Sequence, residues 1–324
     1  MLTDCFNRVI SYLRVSITDR CNLRCRYCTD GTFSFIPHEE ILRYEEIIRL
    51  VRIAASLGVR KVRLTGGEPL RRKDLFFLLQ EINAIGSIDD ISLTTNGVDL
   101  GDAVQTLRDA GLRRVNISLD SLKRERFAYI TGVDAFDKVI RSIRKAKLAG
   151  LHPVKINTVI IKGFNDDEAL DFTDFAKTWE VQVRFIEFMP FGDEGLWDRS
   201  RIITSANLEE AIRRVHELHP SANSDKGPAK MFLLNGSAGQ VGFISPMSSH
   251  ICSECNRIRL TPDGKIKPCL FSDAEHDVKA LLRGGASDES VAEFVRAAVK
   301  AKPERKTEAG AVRKCQRSMR SIGG

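Results

Sequence analysis

The chain has 324 residues, 43% of them apolar and 29% charged, with a formal charge of +7. That length suits one large α/β domain or a domain with an appendage, and no apolar run approaches the roughly 20 residues of a membrane span. Residues 1–10 include Asp4 and Asn7 and lack a charged-then-apolar export pattern, so a cytoplasmic protein is expected. The positive charge fits either solubility or an anionic ligand, and nothing in it singles out nucleic acid.

Taken in chain order, short apolar runs predict strands over 13–17, 61–65, 91–95, 114–119, 154–161 and 181–188. Helix-period segments separate them, such as 41–57 with Ile47, Ile48, Leu50, Val51 and Ala54 on one side. Strand–helix repetition of this kind implies a parallel sheet. A polar or glycine-rich turn follows nearly every strand, among them Thr18-Asp19-Arg20, Asn96-Gly97 and Asp120-Ser121. In parallel α/β folds the site lies at the carboxyl ends of the strands, so the chemistry is expected on one face. Beyond Gly192 the pattern changes to a helix over 204–218, strands over 230–234 and 240–244, a cysteine-bearing segment and two more helices. Residues 303–324 are basic and poor in large apolar side chains, a composition typical of a mobile tail.

Six of the eight cysteines fall in two groups; in a cytosolic chain this favours metal or redox chemistry over disulfides. Cys5 and Cys315 are left over as ordinary thiols. Cys21-x-x-x-Cys25-x-x-Cys28 follows the first strand, with Tyr27 just before the last thiol. A four-iron cluster usually takes four cysteines, so three leave one iron open. A structural zinc would want a fourth protein ligand, and the nearest histidine, His38, lies ten residues beyond Cys28. After the second strand comes Thr65-Gly66-Gly67-Glu68-Pro69. It reads as an ordinary βα turn with proline opening the helix, or as a loop that lets backbone groups approach a ligand closely.

Cys252-x-x-Cys255 and Cys269 form the second triplet, with Asn256-Arg257-Ile258-Arg259-Leu260 and the turn Pro262-Asp263-Gly264 between the last two. A zinc knuckle completed by His250 is one reading; a second open-site cluster is the other, and the first triplet favours it. Arg257 and Arg259 bracket one residue, so an extended segment points both the same way. Arginine forks suit phosphate and carboxylate. Arg14, Lys61, Arg63, Lys155 and Arg184 also lie on strands that should be buried on both faces. Together they suggest a basic barrel interior shaped for a polyphosphate.

The cysteine triplet and the Gly-Gly-Glu-Pro loop resemble those of the radical S-adenosylmethionine superfamily. Leu13-Arg14-Val15-Ser16-Ile17-Thr18-Asp19-Arg20-Cys21-Asn22, Phe185-Ile186-Glu187-Phe188-Met189-Pro190, Cys255-Asn256-Arg257-Ile258-Arg259-Leu260-Thr261 and the Gly323-Gly324 terminus resemble its GTP 3′,8-cyclase family, from about residue 5 to the end. The resemblance implies an incomplete (β/α)6 TIM-type barrel, with a C-terminal α+β extension closing the open side. It divides the chain into a partial barrel (1–200), a second-cluster region (201–302) and a basic tail (303–324).

It also implies two [4Fe-4S] clusters, on Cys21, Cys25 and Cys28 and on Cys252, Cys255 and Cys269. S-adenosylmethionine would lie against Tyr27, Gly67, Ser118, Asn157 and Met189. GTP would lie against Arg14, Lys61, Arg63, Thr94, Lys155, Arg184, Arg257, Ile258 and Arg259. A 5′-deoxyadenosyl radical would take hydrogen from C3′ of the ribose, and the carbon radical would attack C8 of guanine, with Arg257, Arg259, Gly323 and Gly324 assisting. Arg317 and Arg320 would add charge near the triphosphate or the pocket rim. An electron donor of unstated identity is required, and a homodimer is compatible with the family. Two departures touch loop conformation rather than ligands: Thr29-Asp30 follows the third cysteine, where the family often has an apolar residue and proline, and Ile251 replaces a common aromatic. The rivals are a radical enzyme that modifies peptides, which usually carries more C-terminal cysteines, and a zinc-stabilised nucleic-acid-binding module, which leaves the Gly-Gly-Glu-Pro loop unexplained.

Overall fold

The computed structural model describes residues 1–28, 34–191, 198–221, 227–249, 252–305 and 317–323. The chain alternates β1 (Tyr12–Ser16), α1 (Tyr44–Ser56), β2 (Lys61–Thr65), α2 (Leu75–Asn83), β3 (Asp90–Thr95), α3 (Leu100–Asp109) and β4 (Arg114–Ser118). It continues through α4 (Arg124–Thr131), α5 (Phe136–Leu148), β5 (Val154–Ile160), α6 (Ala169–Trp179) and β6 (Gln182–Glu187). All neighbouring pairs from β1 to β6 are parallel, and each strand boundary lies within one residue of its predicted one, whereas the helix expected over 41–57 begins at Tyr44. This is the partial α/β barrel expected.

The strand alternation explains both the core and the site. Val15, Val62, Leu64, Leu93, Val115, Ile117, Ile156, Val183 and Phe185 are fully buried on the outward face, under the helices. The inward positions instead carry Arg14, Arg63, Ser92, Asn116, Lys155 and Arg184, with Arg14, Arg63 and Ser92 aligned across three strands. A barrel of this class normally fills its interior with branched apolar side chains. Here the apolar core lies outside the strands, and the interior is left polar.

Then come α7 (Ser205–Arg213), β7 (Leu218–Pro220), β8 (Ala229–Leu234), β9 (Gln240–Ile244), β10 (Arg257–Leu260), β11 (Lys265–Lys267) and β12 (His276–Asp277). After these lie α8 (Lys279–Arg283), α9 (Asp288–Lys300) and α10 (Met319–Ile322). The strands form one sheet in the order β12-β11-β10-β1-β2-β3-β4-β5-β6-β9-β8-β7. β9 extends it in parallel beyond β6, and β10 in parallel beyond β1. The C-terminal region thus adds strands to both edges of the barrel sheet.

The helix expected over 204–218 is shorter, because Leu218 leaves it to pair with Leu234 of β8. Packing at the sheet edge overrides the helical pattern there. Glu187, the last residue of β6, fixes the passage from β9 towards β10. Its buried carboxylate accepts hydrogen bonds from the backbone of Ser205, Met247 and Ser248 at 2.8–2.9 Å, and from the Ser248 hydroxyl.

Candidate active site

The first triplet occupies the loop at the carboxyl end of β1. Cys28 N–H donates to the Cys25 carbonyl at 2.9 Å, closing a tight turn. Arg24 and Arg26 donate backbone bonds to Thr131 and Ile130 at the end of α4, at 2.8 and 3.0 Å. The Gly66-Gly67 turn holds the other flank. Gly67 N–H donates to the Thr18 carbonyl and Glu68 N–H to that of Arg20, both at 2.7 Å. A Cβ on Gly67 would stand 2.5 Å from the Arg20 carbonyl oxygen, and one on Gly66 the same distance from that of Thr18. These glycines are required by one loop lying on another, which fixes where the three thiols sit.

Glu68 is fully buried beneath this contact and accepts from Thr95 Oγ1 and Asn96 N–H, both at 2.7 Å. Burial pushes its carboxyl up to about 7 despite those bonds. Burial also raises Cys21, raises Cys25 strongly and pushes Cys28 up to about 11. Tyr27 donates its hydroxyl to Asp120 at 2.6 Å, and burial lifts that carboxyl to about 6.

One cavity contains the three cysteines and every residue assigned above to S-adenosylmethionine: Tyr27, Gly67, Ser118, Asn157 and Met189. Thr94, assigned to GTP, lies in this cavity too. Asn157 Oδ1 and Thr94 Oγ1 are buried without a hydrogen-bond partner among the described residues. Native proteins seldom leave such atoms unsatisfied, so the wall fits a polar ligand above a thiol-held cluster.

The second triplet is built differently. β10 and β11 form an antiparallel hairpin with Arg259 opposite Lys267. Cys255, just before β10, and Cys269, just after β11, therefore meet at the open end of the hairpin. Because β10 runs parallel to β1, that end lies at the amino-terminal side of the barrel strands. The expectation that all the candidate groups gather at the carboxyl ends is corrected accordingly: the second triplet stands at the opposite end of the strands.

The adjoining cavity contains Cys252, Cys255 and Cys269 with Arg14, Arg63, Arg184, Arg257, Arg259 and Lys302, and no carboxylate among the described residues. Burial, then the charges of Arg259, Arg63 and Arg257, pull Arg14 well below the usual arginine range. Burial and Arg257 bring Arg259 down to about 10. Crowded, desolvated cations of this kind favour an anion strongly. Asn116 adds an amide with both polar atoms unpartnered among the described residues. Cys255 goes the other way from the first triplet: burial raises it, but Arg257 and Lys302 outweigh that and bring it to about 7. The two cavities share Asn157, Ile186, Met189 and Met319.

Of the other predicted residues, Arg320 lines the first cavity and the rest fall outside these walls. Ile258 points its side chain into the apolar core. Lys61 and Lys155 share the inward side of their strands but not the cavity lining. Arg317, expected near the triphosphate, instead forks onto Asp263 at 2.8 and 3.0 Å and meets Glu275 at 2.6 Å. It anchors the tail. Arg320 goes to the first loop, donating to the Leu23 carbonyl at 2.7 Å. Gly323 has φ +80°, accepts a bond from Arg259 at 2.9 Å, and lies so close to Thr65 that a Cβ would stand 2.5 Å from its methyl. Gly324, Gly192, His250, Ile251, Thr29, Asp30 and Cys315 lie outside the described residues.

Two residues carried no signal in the sequence. Lys302 is buried and donates to the carbonyls of Arg257 and Pro268 at 2.8 and 2.6 Å. Arg8, paired with Asp4 at 2.6 Å, reaches the carbonyls of Cys252 and Pro303 at 2.8 and 2.6 Å.

A thiol triplet at the mouth of a partial barrel, backed by a Gly-Gly-Glu-Pro loop, defines a radical S-adenosylmethionine enzyme. The Radical SAM superfamily model matches residues 15–176, and the Molybdenum Cofactor Synthesis C model matches 181–308. The fold is similar to Streptococcus suis SuiB bound to S-adenosylmethionine (TM-score 0.62, 17% identity, 90% of this chain and 68% of that one). It is also similar to anSMEcpe with bound AdoMet (TM-score 0.60, 16% identity, 90% and 81%). Curated relatives include the GTP 3′,8-cyclases of Thermodesulfovibrio yellowstonii and Moorella thermoacetica, each 48% identical over the full length of both chains. The chain belongs to the GTP 3′,8-cyclase family, whose members act in molybdenum cofactor biosynthesis.

Proposed function

We propose that this chain converts GTP to (8S)-3′,8-cyclo-7,8-dihydroguanosine 5′-triphosphate, the first step of molybdopterin biosynthesis, using two [4Fe-4S] clusters. One observation carries the reading: two thiol triplets approach a single cation-lined interior from opposite ends, through cavities that share Asn157, Ile186, Met189 and Met319. Cys21, Cys25 and Cys28 would hold the first cluster, and Cys252, Cys255 and Cys269 the second. Bound S-adenosylmethionine and the first cluster supply the radical chemistry, which is the cofactor's own.

The protein's part is placement. Arg14, Arg63, Arg184 and the Arg257–Arg259 pair bind and orient the triphosphate, Thr94 also meets GTP, and Ser118 and Asn157 meet the adenosyl side. Gly323, held by Arg259, brings the tail backbone against Thr65 and Ser16. Fixing C3′ near one cavity and C8 towards the other leaves cyclisation as the accessible path. A cytoplasmic location and an external one-electron donor belong to this reading.

The test is anaerobic reconstitution followed by GTP, S-adenosylmethionine and dithionite. About eight irons per chain, 5′-deoxyadenosine and the cyclised nucleotide are expected. Zinc alone, or 5′-deoxyadenosine without any change in GTP, would reject the reading.

A further inference from the structure

A third cavity lies outside the barrel, behind the loop that carries the first cysteines. It is lined by Ile17, Thr18 and Arg20 of that loop and by Arg43, Arg71, Arg72, Lys73 and Arg283, with Glu39 the only carboxylate among the described residues. The inner cations are already committed. Arg72 donates to the carbonyls of Ile17 and Leu42 at 2.6 and 2.7 Å, and Arg283 pairs with Glu46 at 2.8 Å. The rim cations are held more loosely. The Arg43 side chain is 73% exposed and reaches Glu46 only at 3.8 Å. Arg71 is 53% exposed and 3.5 Å from Asp99. Lys73 is exposed and makes no ion pair among the described residues.

A small anion needs enclosed donors with free N–H groups, and the enclosed ones here are spent on backbone carbonyls. Exposed cations around a rim suit an extended acidic surface, where they steer encounter and fix register. The rim is also connected to the first triplet. Asp99, which faces Arg71, accepts from Asn22 at 3.1 Å. Asn22 in turn accepts from Asn96 at 2.7 Å, and the Asn96 amide lies 3.7 Å from Cys21 Sγ.

We propose that this basic face is the docking surface for an acidic one-electron carrier protein that reduces the first cluster. The proposal rests on the radical reading above, which consumes an electron that the chain itself does not supply. The carrier loses one electron and the first cluster gains it; no atom moves between them. The inner barrel is left free for both substrates, because no residue lining this cavity lines either of the other two.

The experiment uses the reconstituted chain with flavodoxin as the acidic carrier and dithionite as a small reductant that needs no docking surface. Arg43→Glu and Lys73→Glu together should weaken flavodoxin binding by about ten-fold or more at low salt, and high salt should weaken binding to the unsubstituted chain likewise. 5′-Deoxyadenosine formation driven by flavodoxin should fall in step, while the dithionite-driven rate and the thermal midpoint stay unchanged. Unaltered flavodoxin affinity, an equal loss of both rates, or tighter binding to a single-stranded oligonucleotide than to flavodoxin would overturn the proposal. If dithionite drives no cleavage in the unsubstituted chain, the radical reading itself fails, and the binding measurement still decides the docking face.

Discussion

The two ends of the barrel interior assemble similar thiol triplets by opposite routes. The first triplet comes from eight consecutive residues, and its loop is held by turns after β1 and β2 and by the end of α4. The second is spread over eighteen residues from Cys252 to Cys269. It is brought together by a hairpin, by Lys302 bonded to the carbonyls of Arg257 and Pro268, and by Arg8 on the Cys252 carbonyl. The surroundings differ as well. Burial dominates at the first site and raises all three thiols, whereas cations bring Cys255 to about 7. One end is a compact module that could sit on many barrels. The other exists only when both chain ends are in place.

Separating the two ends by function should give the largest effect. Cys21→Ser, Cys25→Ser or Cys28→Ser should abolish reductive cleavage of S-adenosylmethionine. Cys252→Ser or Cys269→Ser should retain cleavage and lose cyclisation, followed as 5′-deoxyadenosine against cyclised nucleotide. If both sets lose cleavage equally, the division of labour is wrong. Deleting Gly323 and Gly324 should come next: iron content unchanged at both sites, product yield sharply lower. Normal yield would leave the Arg259–Gly323 contact without a catalytic role.

Arg257→Ala should act at the second end alone. Losing a charge-assisted bond costs about 1.5–3 kcal/mol, so GTP should bind roughly ten-fold or more weakly with S-adenosylmethionine affinity unchanged. Equal weakening of both ligands would assign Arg257 to folding. The gentlest test needs no turnover. In the reduced, metal-free chain at pH 7, Cys255 should be about half thiolate and Cys28 almost wholly thiol, given values near 7 and 11. Brief alkylation followed by mass spectrometry should label Cys255 first. Its labelling should fall as pH drops below 7, because the thiol then holds its proton. Labelling of Cys28 first would remove the electrostatic contrast.

This contrast also marks how far the sequence could be read. The six barrel strands and both cysteine triplets are local signals, and they lie within a residue of where the pattern puts them. The Arg257–Arg259 pair was legible because alternation in a strand is a two-residue rule. Lys302 and Arg8 were not, because each acts on carbonyls of residues far away in the chain, and nothing distinguishes them from solvated cations until the fold closes. Gly66 and Gly67 were legible as a motif but not in their reason, which is the backbone of Thr18 and Arg20 pressed against them. Arg317 and Arg320 were legible as charge, but their partners Asp263, Glu275 and Leu23 were not.

The pairing of β1 with β10 has a consequence for synthesis on the ribosome. β1 gains β2 at once, but its other edge waits for residues 257–260. At about 5–20 residues per second, the stretch from residue 65 to 257 takes roughly 10–40 s to translate. For that time an open strand edge, the kind that invites pairing with another chain, stands beside a polar interior still accessible from the side. Metal loading of the first loop need not wait for the finished protein, whereas the second site cannot exist until the last third of the message has been read.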